Sequence, residues 1–225
     1  MRGFRRVDGR YVAGLDGSER EVLATVVADV AELLGGGRFG ADPGAVDRAD
    51  AAEAAAASQP LLGLRMSSVE VPAPIDPAVH RLLPDASDDD PELAAEFRRL
   101  TEGDLRTLKV DRLRTLWESL IVAVPRGATA DLVVQPGEAA ELAATITDLR
   151  LVLADRLGVE TEEDSDALYD TLDRLEPGVD AGDDDSDRTG KQVLADEIRE
   201  YLASVYAALS WLQESLLAVM VADLP

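Results

Sequence analysis

The chain contains no cysteine and one histidine, His80, among its 225 residues. Without thiols there is no disulfide, no thiolate metal site, no cysteine nucleophile and no thiol redox switch. One imidazole leaves a histidine-based triad a lone candidate and a multi-histidine metal site none. His80 lies in a proline-flanked stretch with no partner set by spacing, which suits a loop histidine better than a general base. Aromatics are 4% of the residues. The core therefore has to come from Leu, Val and Ala, and a stacking site for nucleotide or carbohydrate has little to draw on. No apolar run of roughly 18 residues marks a membrane span, and Met1-Arg2-Gly3-Phe4-Arg5 lacks the apolar centre of a signal peptide, so a cytoplasmic setting is expected.

Acid is what the chain has in excess: 45 Asp and Glu against 22 Lys and Arg, a net charge of −23. The excess is uneven. Residues 155–187 hold 14 acids and two bases, a local −12, whereas residues 1–40 carry six of each sign. Phosphate backbones are bound by neutralising them with Lys and Arg, so direct DNA contact is disfavoured unless a local basic patch prevails.

Small aliphatic residues pack helix on helix more readily than they fill a β-sandwich. The expected fold is α+β and predominantly α-helical: a helical bundle with a small N-terminal antiparallel β-hairpin that grows into a three-stranded patch. Asp8-Gly9 between Phe4–Val7 and Arg10–Leu15 marks the hairpin turn. Asp131–Gln135 reads as the third strand, which an otherwise marginal hairpin needs. Ser18-Glu19-Arg20-Glu21 reads as a capping box that opens a helix ending at Gly35-Gly36-Gly37. Further helices are predicted from Pro91 to about Leu100, over 105–120 (carrying Leu105, Leu108, Leu113, Leu116, Trp117 and Leu120), from Pro136 to Gly158, over Asp164–Leu175, and from Lys191 to Val221. The last is the most apolar, and such a helix is either central to the core or shared between subunits, so a homodimer through it is a further expectation. The organisation expected is one domain over 1–225, with a loosely structured insertion at 36–90, including an Ala-rich helix at Ala45–Ser58, and an acidic mobile loop at 173–190.

Two motifs reduce to ordinary structure. Gly35-Gly36-Gly37-Arg38-Phe39-Gly40 has dinucleotide-fingerprint glycine spacing, but it follows a helix where the chemistry needs a strand. Asp183-Asp184-Asp185-Ser186-Asp187 resembles the start of a calcium loop, but the positions that need glycine and glutamate hold Arg188 and Leu194. No spacing singles out a carboxylate pair, so no catalytic residue, metal ligand or cofactor site is assigned, and a non-enzymatic role is expected.

Residues 98–114 are the basic exception, with six bases against three acids. Thr101-Glu102-Gly103-Asp104 looks like a helix break within them, which makes the segment resemble a helix-turn-helix. Its arginines either meet acids elsewhere in this chain or face an acidic surface on a partner. On the second reading Arg98, Arg99, Arg106, Lys109 and Arg112 are the partner-binding residues, and exchanging Arg98, Arg99 and Arg106 for Glu abolishes partner capture at unchanged helix content.

Arg2-Gly3-Phe4-Arg5, Leu100 through Lys109, Thr147 through Gly158, and Val205-Tyr206 with Trp211 through Ser215 occur in an order that resembles an actinobacterial domain-of-unknown-function family. Some of its members are described as AosR-like oxidative-stress transcriptional regulators. The resemblance covers most of the chain apart from 36–90 and 173–190. It implies a cytosolic regulator of stress transcription acting through a protein partner, a sigma factor or RNA polymerase. The family's gene neighbourhood implies an alternative, a binding module in Clp-dependent proteolysis. Redox sensing in the family is tied to a cysteine pair, which this chain lacks, so the resemblance brings no sensing mechanism with it.

Overall fold

The computed structural model describes residues 1–40, 72–122, 125–126, 129–175 and 190–224. Asp8 and Gly9, at φ of 49° and 76°, close the hairpin between β1 (Arg2–Val7) and β2 (Arg10–Asp16). Both central residues of such a turn need positive φ, which Asp-Gly tolerates. Two strands follow much later, β3 (Pro125–Arg126) and β4 (Thr129–Val134). β4 pairs antiparallel with β2 from Tyr11↔Val134 to Asp16↔Thr129, and β3 adds a two-residue stub on β4. The three-stranded patch is thus present, in the order β1-β2-β4-β3 once the stub is counted.

Helix α1 (Gly17–Leu33) follows β2 without a loop. Its cap is Asp16, which accepts from the Glu19 N–H at 2.9 Å while Glu19 accepts from the Asp16 N–H at 2.8 Å. The capping box therefore sits two residues earlier than Ser18–Glu21. Asp16-x-x-Glu19 and Ser18-x-x-Glu21 both fit the pattern, and the end of β2 at Asp16 selects the first. Helix α2 (Pro77–Leu82) buries Ala78, Val79 and Leu82, with Asp76 as its cap. Sequence periodicity gave no helix here, because six residues are too few to show one.

Helix α3 (Pro91–Val122) is continuous for 32 residues. The break expected at Thr101–Asp104, and the helix-turn-helix with it, are absent. Glycine inside a helix costs only about 1 kcal/mol relative to alanine. Against that cost, Glu102 is buried in α3 beside Gly103, Thr101 and Thr107 hydroxyls donate back to the carbonyls of Phe97 and Gly103, and the helix packs extensively on α1. Tertiary packing overrides the local signal.

A 3₁₀ turn (Pro136–Glu138) leads into α4 (Ala139–Leu157), which ends at Gly158 as expected. Two more helices complete the described chain, α5 (Glu162–Leu175) and α6 (Gly190–Ala222). The core is aliphatic, as the low aromatic content requires: Leu15, Val27, Leu34, Leu82, Leu113, Leu120, Ile146, Leu149, Leu157, Leu209 and Leu216 are almost wholly buried. It lies where α1, α3, α4 and the second half of α6 converge, with α2 against α4 and α5 against α6. The Ala45–Ser58 helix lies outside the described residues, as does the 173–190 loop apart from the helical backbone at its two ends.

Residues Leu194–Ala222 are long and apolar enough to cross a membrane by length and composition, with a mean hydropathy of 1.5. The packing accounts for much of that apolarity: Val205, Leu209, Leu212 and Leu216 are core residues. Leu194, Ile198 and Tyr201, which continue the same apolar stripe, are exposed.

The hairpin is fastened to the end of α6. The Phe4 N–H donates to Ser215 Oγ at 3.0 Å, Tyr11 Oη donates to Asp223 at 2.9 Å, and Arg6 pairs with Asp223. Gly3 permits this approach, since a Cβ there would stand 2.8 Å from Ser215 Cβ. Gly3→Val is expected to lower stability by about 1–3 kcal/mol through overpacking, read as a lower urea midpoint; an unchanged midpoint would show that β1 can move off α6 at no cost.

Candidate functional site

An α-helix of 32 residues that packs on one side presents two unlike faces, and in α3 they divide the chemistry. The inward face carries Ala94, Val110, Leu113, Leu116 and Leu120, with the buried carboxylate of Glu102 among them. Arg98, Arg106 and Lys109 also turn this way. Arg98 pairs with Asp85, which follows α2. Arg106 donates to Glu102 at 2.6 Å and to the Leu34 carbonyl, at the end of α1, at 3.0 Å. Lys109 Nζ meets Asp148 of α4 at 2.6 Å, both side chains largely buried. These three basic residues bind α1, α2 and α4 to α3.

The other two sequence-predicted residues differ. Arg99 forms a bidentate pair with Glu96 on the same helix, at 2.6 and 2.8 Å. Arg112 stands at the wall of a cleft, its Nε buried without a hydrogen-bond partner among the described residues. The five therefore form no shared basic patch, and four of them meet carboxylates of this chain. A Glu exchange at Arg98, Arg99 and Arg106 would set carboxylates against Asp85, Glu96 and Glu102, so it tests the fold and not a partner.

The outward face holds what periodicity alone did not identify. Leu93, Phe97, Leu100 and Leu108 are 53%, 44%, 60% and 46% exposed. Spaced four, three and eight residues apart, they fall on one stripe of the helix. Asp104 lies between Leu100 and Leu108, one turn from each, and Asp111 lies one turn beyond. Leu108 also borders the cleft, which has a volume of about 300 Å³. One wall of the cleft is α3 from Leu108 to Ser119. The other is β4 at Leu132–Val134 and the start of α4, with the carboxylates Glu138 and Glu141 at the mouth. Next to the stripe, Arg114 pairs with Asp111 at 2.8 Å and lies 5.4 Å above the Phe39 ring, which is tilted against Trp117.

The molecule's one histidine lies elsewhere. His80 Nε2 is 3.3 Å from Asp85, the carboxylate that also holds Arg98. Among the described residues no group of three or more His, Asp or Glu side chains is arranged to hold a metal ion.

The matched family spans nearly all of this architecture. The chain belongs to the DUF2017 family, a domain of unknown function whose model matches residues 1–220. No curated protein and no solved structure matches the chain. The DUF2017 match takes in the hairpin, the long helix with its two faces, and α6 to within a few residues of its end.

Two measurements test the inward contacts. Removing Lys109 strands a buried carboxylate, so Lys109→Met is expected to cost about 3 kcal/mol. The double variant Lys109→Met with Asp148→Leu should recover most of that in urea unfolding, because an apolar pair replaces the ion pair; equal loss in both variants would show that the charges themselves are needed. The second concerns acid. The Arg98 guanidinium first, helped by His80, holds the Asp85 carboxyl below the ordinary aspartate value of 3.8. A lowered folded-state value gives stability that is present above the unfolded value and lost as pH falls through the folded one. The deficit of Asp85→Asn relative to the parent chain should therefore be full at neutral pH and shrink below about pH 4; a deficit that does not change with pH would contradict this.

Proposed function

We propose that this chain is a non-enzymatic, cytoplasmic regulator of stress transcription that works by docking a protein partner, a sigma factor or RNA polymerase itself. The observation that carries the docking part is the exposed stripe of Leu93, Phe97, Leu100 and Leu108 on the outward face of α3. Contiguous exposed apolar residues on a helix are costly in water and are what a partner covers. The transcription part rests on the resemblance of the order of segments to a family with AosR-like members. A thiol switch has no place in this chain, which has no cysteine. The exposed Leu194, Ile198 and Tyr201 at the start of α6 favour a homodimer through that helix.

The alternative assigns the same docking face to Clp-dependent proteolysis. One experiment separates the two: affinity capture from nuclease-treated native lysate with the parent chain and with a Phe97→Ser, Leu100→Ser variant, followed by mass spectrometry. Enrichment of RNA polymerase or a sigma factor that the variant loses is the expected result. Clp components without polymerase would move the protein into proteolysis. Polymerase retained equally by the variant would place the docking face elsewhere.

A further inference from the structure

We infer that the outward face of α3 and the adjoining cleft receive a basic amphipathic helix of a partner protein; this deepens the docking reading above and rests on it. The shape argument comes first. From Leu93 to Leu108 the stripe is straight and runs roughly 22 Å at 1.5 Å per residue. An apolar ridge of that form fits a second helix laid along it, with anchors at helical spacing. At its far end the ridge opens into the cleft, where Leu116, Leu132 and Leu142 give an apolar floor for one more side chain.

Charge selects the kind of helix. Asp104 interrupts the stripe, and Glu138 and Glu141 line the cleft that Leu108 borders; Asp111 lines it too but is paired with Arg114. The basic residues nearby are largely committed: Arg99 to Glu96 and Arg114 to Asp111. Arg112 alone lines the cleft as a cation. The surround is therefore acidic, within a chain of net −23. Lysines or arginines flanking the partner's apolar face would find carboxylates on both sides. A second copy of this chain would bring the same acids to the same place, and like charge opposes that pairing. A phosphate backbone is opposed on the same ground.

The test uses the full chain and a fluorescein-labelled peptide of about 18 residues, composed of leucine and lysine with the leucines at i, i+3, i+4 and i+7. Its controls are a peptide of the same composition in scrambled order and one with glutamate in place of lysine. Fluorescence anisotropy should show the ordered leucine–lysine peptide binding at least about ten-fold more tightly than either control, and less tightly as salt rises. Phe97→Ser with Leu100→Ser should weaken it about ten-fold, and so should Asp104→Lys with Glu141→Lys, at unchanged circular dichroism. All four positions are exposed, so the fold is not at stake. Equal binding of the scrambled peptide, or binding that survives both variants, would reveal general attraction to an acidic protein and overturn the inference. A concentration-dependent dimer in sedimentation that Phe97→Ser with Leu100→Ser abolishes would assign the face to a second copy and overturn it as well. If that variant loses its partner from lysate while the parent chain ignores the peptide, docking at this face stands and the basic helix is the part that fails.

Discussion

Helix α3 carries Arg98, Glu102, Arg106 and Lys109 on the face it turns toward the rest of the molecule, and each of these charges needs a partner as it leaves water. Uncompensated, a buried charge costs several kcal/mol, more than an average apolar contact returns. The neutralising groups come from different parts of the fold: Asp85 just beyond α2, Glu102 within α3, the Leu34 carbonyl at the end of α1 and Asp148 on α4. Meeting that requirement sets where the three neighbouring helices stand around α3. Aliphatic packing supplies the bulk of the favourable free energy, but it is non-directional and would tolerate other arrangements of the same helices. The ion pairs add direction to that packing, because each is satisfied only when its two elements stand at hydrogen-bond distance.

The same constraint explains why an acidic chain can hold a basic segment without a basic surface. Six bases within residues 98–114 suggest a patch when read along a line. Wound into a helix, Arg98, Arg106 and Lys109 fall on one side and meet partners there, Arg99 and Arg114 pair with acids of their own helix, and the stripe left outside holds leucines, a phenylalanine and Asp104. Lys and Arg tolerate this position because their long aliphatic stems pack against the core while their heads reach a carboxylate.

Much of this fold is legible in the sequence, and the failures share a cause. Asp8-Gly9 fixes the hairpin, Asp131 through Val134 fall in the strand expected of them, and Gly158 stops α4, because each signal is local and physically obligatory. The continuity of α3 is not local. Gly103 and Thr101 punctuate the sequence by rules worth about 1 kcal/mol, and packing on α1 outweighs them. The five basic residues are visible as a cluster, but Asp85 and Asp148, the partners of Arg98 and Lys109, lie 13 and 39 residues away, and no spacing rule links them. The apolar stripe was hidden behind them, because an exposed leucine and a core leucine look the same until the helix has a neighbour.

The inner face of α3 combines buried aliphatic residues with paired charges, its outer face sets an apolar stripe among charged residues, and this division has a physical consequence. Exposed leucines return no stability to the folded chain, so the molecule has to be held by contacts on the other side. Those contacts gain specificity from ion pairs at some cost in desolvation. A partner that covers Leu93, Phe97, Leu100 and Leu108 would gain free energy the folded chain leaves unused, and the flanking carboxylates would decide which partner that is. Because Arg98, Arg106 and Lys109 are committed to contacts within the molecule, folding and recognition draw on different residues of one helix. A substitution on the outer face can then change what the protein binds without changing how it folds.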